Sequence, residues 1–336
     1  MRYVIGIDLG GTKTAAGIVS EDGRVLCAAR IPTAAKEGAE AILDATATLV
    51  LRLVRRAEAE GIVPAAIGIG SAGVIDGERG MVVSATDAIS GWVGTRLTEG
   101  LQTRTGLACA AINDVHAHAL GESWAGAAAG SSSALLVAVG TGVGGSFVVD
   151  GVPQQGARFA AGHVGHFASP YAYEFASGVA SDGDAGANDI AGGAVALPCS
   201  CGGAGHVEAI ASGPAILHSY NREVPLADAA PDTHAVFARA SSGDKTALLV
   251  VSRAAAACGQ AIGGLANILD PEVVVVSGGV AGAGPLWWDA MTRAASAELL
   301  PALAELRIVP ANPATDAAVL GAARLALTRD PVKVAS

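Results

Sequence analysis

The sequence predicts an α/β protein of two similar lobes with a cleft between them, and three observations carry that prediction. Strand-like alternation around a glycine turn occurs twice, as "VIGIDLGGTKTAAGIV" near the start and as "LLVAVGTGVGGSFVV" near residue 140. The order strand, strand, strand, helix, strand, helix recurs in both halves, as a structural repeat requires. At 336 residues and 51% apolar composition, the chain is long enough for real cores. Ala and Gly dominate and aromatics make up 4%, so helices and sheets are expected to approach closely.

"RYVIGIDLGG" and "TAAGIVSEDGRVLCAARIPT" predict three strands joined by tight turns, with "EDGR" the hairpin signal. "EGAEAILDATATLVLRLVRRAEAEG" has helical spacing, ends in charges and stops at Gly61. "AAIGIGSAGVID" reads as a buried strand entering a glycine turn. "LACAAINDVHAHALGESWAG" passes from strand to helix at Asn113-Asp114. "SSSALLVAVGTGVGGSFVVDG" is strand, turn, strand. Residues 167–198 lack periodicity and are rich in Gly, Ala, Ser and Asp, which predicts a long surface loop. A compact glycine knuckle follows at 199–208. Helices are expected at about 233–242 and 245–268, then the buried strand "PEVVVVSGGV" and the closing helix "DAAVLGAARLAL". The expected lobes are 1–115, completed by the closing helix at about 315–328, and 116–314.

The formal charge is -10 and no block of Lys or Arg occurs. That argues against nucleic acid or an anionic membrane as partner, but not against ATP, which is held by a few local donors and a metal ion. Five cysteines without an export signal read as reduced and cytoplasmic. "PEVVVVSGGVAGAG" is too short and glycine-rich to span a membrane. Cys27, Cys109 and Cys258 sit in apolar surroundings and read as core residues.

Successive backbone N–H groups in a glycine turn form a concave nest for phosphate oxygens. In the first turn Gly10 and Gly11 let a ligand approach, Thr12 and Thr14 add hydroxyls and Lys13 adds charge. Asp8, at the strand end, can hold Mg2+ directly or through water. A Walker loop does not fit: after Gly6-x4-Gly11 the lysine comes one place late, and a strand follows where a helix is needed. Gly140, Gly142 and Gly145 match the spacing of a dinucleotide fingerprint. However, "SFVVDG" continues as a strand and no acidic residue stands about 20 positions on. Two hairpin nests, one per lobe, facing a single triphosphate fit better.

Taken in order, "GIDLGGTKTAAGIV", "INDVHAHALGE", "VGTGVGGSFV", "AGHVGH", "CSCGGAGHVEAIASG" and "VVVVSGGV" resemble the motifs of the ROK family of sugar kinases, over nearly the whole chain. The resemblance implies the actin-like ATPase (ribonuclease H-like) fold with its interlobe cleft, ATP with Mg2+, structural zinc, a sugar substrate and a homodimer. Repressors of the family carry a helix-turn-helix before the first strand. Here that strand starts near residue 3, so an enzyme is expected.

Phosphoryl transfer to a sugar hydroxyl requires positioning, charge neutralisation and one proton acceptor. Asp114 is the candidate acceptor; it follows a strand and opens a helix, whose N-terminal dipole favours the anion and a low pKa. Asn113 beside it can fix a neighbouring hydroxyl. The bland reading is that the pair caps the helix; two phosphate turns and the family's Asn-Asp pair at this place favour catalysis. By resemblance, Asp8, Gly11, Thr12 and Lys13 serve one end of the nucleotide. Thr141, Gly142 and Gly144 serve the facing turn, and Gly278 and Gly279 back the adenosine. Trp287-Trp288 reads as interface or core.

Cys-x-Cys-x4-His in a glycine knuckle, with a remote histidine, makes a four-ligand zinc set of His166, Cys199, Cys201 and His206. The alternative is a metal-free knuckle. The family's usual set is one histidine and three cysteines, and His206 stands where the third cysteine lies. Four protein ligands make the site structural, holding His166 and Glu208 at the sugar. The resemblance also carries Gly73, Thr86, Asn113 and His163 to the sugar, and Asp87 stands where glucokinase-like members often have asparagine. Those members have glutamate at the place of His163, whereas His163 followed by "VGH" and "VEAIASG" looks like the N-acetylmannosamine kinases. An imidazole can donate to an acetamido oxygen and a carboxylate cannot. The expected reaction is ATP-dependent phosphorylation of a hexose 6-hydroxyl, with N-acetylmannosamine favoured and glucose or an amino-glucose the runner-up. A sugar-sensing regulator without turnover is a third class, disfavoured by the intact Asn-Asp pair.

Overall fold

The computed structural model describes residues 1–86, 89–175, 189–190, 194–313 and 315–328. In chain order the elements are β1 (Tyr3–Leu9), β2 (Lys13–Ser20), β3 (Val25–Pro32), α1 (Ala39–Glu58), β4 (Ala66–Ser71), β5 (Val74–Asp76), β6 (Met81–Ser84), α2 (Leu97–Thr105), β7 (Ala108–Asn113) and α3 (Asp114–Ala125). Then come β8 (Ser133–Val139), β9 (Val143–Val149), β10 (Val152–Pro153), β11 (Tyr173–Phe175), β12 (Asp189–Ile190), β13 (Ala194–Ala196), α4 (Glu208–Ala211), α5 (Gly213–Glu223), α6 (Thr233–Ser241) and α7 (Lys245–Leu269). The chain closes with β14 (Val273–Ser277), α8 (Pro285–Glu298), β15 (Arg307–Pro310) and α9 (Ala317–Thr328).

Two five-stranded mixed sheets share one topology. The first has the order β3-β2-β1-β4-β7 and the second β10-β9-β8-β14-β15. In the first, an antiparallel meander is extended by two strands parallel to β1. In the second, β9 and β10 pair antiparallel and β14 and β15 parallel. The sequence repeat is therefore a repeat of topology. Two compact units result: residues 1–135, 146–162 and 311–336, and residues 136–145 and 163–310.

In the first unit β1, β2 and β4 are buried on both faces of the sheet. Ile5, Ile7, Leu9, Ile67 and Ile69 join Ile42, Leu49, Val50 and Leu53 of α1 in one core. On the opposite face β1 and β4 offer small residues, and α9 lies there. Gly17, Gly6 and Gly68 stand in register across β2, β1 and β4. A Cβ at Gly6 would lie 2.0 Å from the Val319 carbonyl oxygen, and one at Gly68 1.7 Å from that of Ala322. Glycine in a strand is intrinsically unfavourable; here it lets a helix backbone touch the sheet. Helices α3 and α9 cross by the same means. A Cβ at Gly121 would meet Ala317 O at 1.8 Å, and one at Gly321 would meet Ala117 O at 1.6 Å. This contact places α3 with the first unit rather than with residues 116–314 as the sequence suggested.

The second unit is built around α7, capped by Asp244, whose carboxylate accepts the Ala247 N–H at 2.9 Å. Among the described residues α7 is the one helix long and apolar enough to cross a membrane; more than half of its apolar window is buried within the protein, as in a core helix. The stretch 167–198 differs from the expected loop. Strands β11, β13 and β12 form a small sheet, and Arg253 of α7 donates to the carbonyls of Tyr171 (2.6 Å) and Tyr173 (2.8 Å). Strands of two or three residues are too short for periodicity to reveal. Residues 176–188 and 191–193 of that stretch, and Asp87, lie outside the described residues. Cys109 and Cys258 are buried, with their thiols pushed up to about 12 by burial, Cys27 is half-buried against the core, and Trp287 is a core residue.

The glycine row makes a sharp expectation. Gly68→Ala should destabilise the protein by about 3 kcal/mol through overpacking against a backbone that cannot retreat. Gly264→Ala, in α7 with nothing within 4 Å of the added Cβ, should stabilise it by about 0.5–1 kcal/mol. Urea midpoints of the two variants, with opposite signs, check this.

Candidate active site

The first glycine turn joins β1 to β2. Gly10 N–H closes it onto Lys13 O at 3.1 Å, and Thr33, directly after β3, braces it, its hydroxyl 2.8 Å from Gly10 O and its N–H 3.0 Å from Thr12 O. Thr12 and Lys13 are exposed and Gly11 half-buried, so all three are accessible to a ligand. Thr14 is not: it is buried, and its hydroxyl pairs with that of Thr33 at 2.9 Å. Its expected part in the nest is corrected to a part in the turn's own bracing.

Asp8, Ser71 and Asn113 stand at the carboxyl ends of three parallel strands, β1, β4 and β7, where α/β sheets place their ligands. Asn113 is the N-cap of α3. Its Oδ1 accepts the Val115 N–H at 2.9 Å and the His116 N–H at 3.2 Å. Its Nδ2 donates to Gly73 O at 2.9 Å and to Asp114 Oδ1 at 2.8 Å. Cap and site are thus one arrangement: the amide expected to hold a sugar hydroxyl is used to hold Asp114 and Gly73. Gly73 itself has φ +99 and no room for a Cβ, with Ser84 O at 2.7 Å. Thr86 is exposed.

Asp114 also accepts the Val115 N–H at Oδ1, 2.9 Å away. The helix terminus was expected to keep this carboxyl low. Burial instead raises its pKa, outweighing the hydrogen bonds from Val115 and Asn113. Asp8 behaves alike: burial first, then the charges of Asp114 and Asp316, raise it from 3.8 to about 6, against the opposing charges of Lys13 and His118. Sequence reasoning missed Asp316, which directly precedes α9 and pairs with Arg30 at 3.1 Å. It also missed His118, whose Nε2 lies 3.5 Å from the buried Glu122. An aspartate just before an apolar helix was the available signal for Asp316. For His118 the signal was its i+4 spacing from Asp114. A cluster of half-buried carboxylates, Asp8, Asp114 and Asp316, with one lysine suits a divalent cation, which relieves their mutual repulsion.

In the second unit the β8–β9 turn is closed by Gly140 N–H on Gly142 O at 2.9 Å. Gly213 N–H donates to Gly140 O at 2.8 Å and Val280 N–H to Val139 O at 3.0 Å. Gly278, at φ +97, abuts Val139, where a Cβ would lie 2.2 Å from the carbonyl oxygen. The structure therefore brings Thr141, Gly142, Gly278 and Gly279 together around one turn. Thr141 and Gly279 are exposed and Gly144 half-buried.

The metal-ligating atoms of His166, Cys199, Cys201 and His206 all lie within 4.8 Å of one another. Cys199 Sγ is 3.6 Å from His166 Nδ1, and Cys201 Sγ is 3.3 Å from His206 Nδ1. A tetrahedral zinc site with Zn–S near 2.3 Å and Zn–N near 2.0 Å needs ligand separations of about 3.3–3.8 Å, so this soft donor set fits zinc. Burial lowers the His166 pKa and raises that of the Cys199 thiol. Glu208 is buried beside the cluster. His163 is exposed, its ring 6.0 Å from that of His166.

The ROK family profile matches residues 4–329. The glucokinase of Thermotoga maritima is 30% identical over 96% of both chains. The N-acetylmannosamine kinase of Shigella flexneri is 32% identical over 96% of this chain and 98% of its own. The expected special likeness to N-acetylmannosamine kinases is therefore not seen: the likeness to glucokinases is at least comparable. Among solved structures, the ROK family glucokinase from Streptomyces griseus in complex with glucose and AMPPNP superposes with a TM-score of 0.76, at 28% identity, over 97% of this chain and all of that one. The two mixed sheets are those of the actin-like ATPase fold.

Two outcomes follow from the electrostatics and the donor set. Between pH 3.8 and about 6 the unfolded chain has released the Asp8 proton and the native chain has not, so rising pH through that window destabilises the native state. Asp8→Asn in metal- and nucleotide-free protein should remove that penalty, up to about 3 kcal/mol at neutral pH, with the gain vanishing near pH 4 in thermal melts. Purified protein should carry about one zinc per chain, and Cys201→Ala should lose it in elemental analysis.

Proposed function

The chain belongs to the ROK family, and we propose that it is a sugar kinase transferring the γ-phosphoryl group of ATP to the 6-hydroxyl of a hexose, with N-acetylmannosamine the favoured substrate. The observation that carries this reading is Asp114. It opens α3, its hydrogen bonds fall on Oδ1, and burial raises its pKa, which makes it a stronger base than a helix terminus alone would allow.

Asp114 accepts the hydroxyl proton as the phosphoryl group arrives. Asn113 positions Asp114, and Gly73 and Thr86 with His163, His166 and Glu208 orient the sugar. The nest of Gly11, Thr12 and Lys13 and the turn of Thr141, Gly142 and Gly144 hold the phosphates, while Gly278 and Gly279 back the adenosine. Asp8 holds magnesium, which when bound neutralises the phosphate charge. His166, Cys199, Cys201 and His206 hold zinc in a structural role. None of the five cysteines is in a disulfide, in keeping with a reducing cytoplasm; a homodimer accords with the family.

His163 supports an N-acylated amino sugar, since it offers an N–H to an acetamido oxygen. The second reading, glucose, is supported by glucokinase relatives at 30% identity.

A coupled ADP-release assay over a sugar panel tests both. The highest kcat/KM is expected with N-acetylmannosamine; a preference for glucose would select the second reading, and no turnover with any hexose would defeat both. Asp114→Asn is expected to lower turnover by about a hundredfold to ten-thousandfold while Mg-ADP binding is kept.

A further inference from the structure

We propose that Glu208 is a positioning residue that fastens the β8–β9 glycine turn to the Cys-Ser-Cys knuckle, with Ser200 as the knuckle's side of the fastening. The Glu208 side chain is buried, and both of its oxygens are engaged by its own chain. Oε2 accepts the Val143 N–H at 2.8 Å. Oε1 accepts the Ser200 hydroxyl and lies 3.9 Å from Cys199 Sγ. The Glu208 backbone N–H donates to Gly165 O at 2.9 Å, one residue before His166. One buried acid therefore meets the turn, the knuckle and the segment carrying the remote histidine.

The turn leaves room for this carboxylate. A Cβ at Gly142 would lie 2.7 Å from Glu208 Oε2, so a side chain at that place would push the carboxylate from its seat. Ser200 stands between Cys199 and Cys201, so a metal that fixes the two thiolates also fixes the hydroxyl between them. If Ser200 released Oε1, the carboxylate could rotate away, and the Val143 N–H would lose its charge-assisted partner in a buried setting, which is costly. The knuckle thus reaches the phosphate turn through one side chain.

This proposal rests on the readings that the β8–β9 turn takes nucleotide phosphates and that the cluster takes zinc. The probe is Mg-ADP titrated calorimetrically without sugar, together with amide exchange of a peptide covering 140–145 and elemental zinc analysis. Ser200→Ala is expected to weaken Mg-ADP by about threefold to tenfold and to speed exchange at Val143. Ser200→Thr, which keeps the hydroxyl, should restore both, and chelator-stripped wild type should reproduce the Ser200→Ala behaviour. Wild-type values of either quantity in Ser200→Ala would overturn the fastening, whatever happens to the sugar KM. Absence of Mg-ADP binding in the wild type would instead overturn the nucleotide assignment beneath it. Chelation without effect on zinc-loaded protein's exchange or affinity would remove the knuckle from the device.

Discussion

The contact between the backbone of α9 and the neighbouring glycines of β1 and β4, Gly6 and Gly68, governs the first unit. Two surfaces without side chains can approach until carbonyl oxygens meet the sheet, and that closeness has no tolerance: each glycine Cβ would fall within about 2 Å of a main-chain oxygen at Gly6 and Gly68. The same small-residue crossing locks α3 to α9 through Gly121 and Gly321. As a result, the ends of β1 and β7 and the start of α9 are fixed together, and with them Asp8, Asp114 and Asp316. The apolar contacts of Ile112, Ala117, Leu120, Ala322 and Leu325 then supply the burial that stabilises the arrangement.

That architecture sets an electrostatic conflict that the chain alone does not resolve. Burial and like charge hold Asp8 near 6, and burial raises Asp114 despite its position at a helix terminus. Desolvation wins over the helix dipole because the dipole contributes at most about 1–2 kcal/mol, whereas removing water from a carboxylate has a larger effect. Carboxylates clustered in this way carry unfavourable charge, which a bound cation can offset. This arrangement of carboxylates therefore lowers native stability near neutral pH.

The second unit solves a different problem. Its turn, its knuckle and the segment before His166 are separate loops, and a single buried carboxylate meets all three. Polar ties of this kind are specific where apolar ones are not, because each donor has one partner in reach. The substrate question is of another order. Relatives of two specificities lie at similar identity, 30% and 32%, and one exposed histidine, His163, is what distinguishes the expectation for this chain.

The sequence by itself determined the class of fold, its repeat and most of the elements, because alternation, helical spacing and glycine turns are local signals read over a few residues. It also pointed to the Asn-Asp pair, the two turns and the four His and Cys residues whose side-chain donors the structure gathers, since their types and spacings are chemically restrictive. It did not reveal the short strands at 173–196, which offer no period, nor where α3 belongs, since a crossing between two helices is written in glycines that look like punctuation. Tertiary structure alone decided the raised carboxyl of Asp114, the inward turn of Thr14 and the joining of Ser200, Glu208 and Val143. Each of these depends on which atoms surround a group, and burial and hydrogen-bond partners are set by segments distant in the chain.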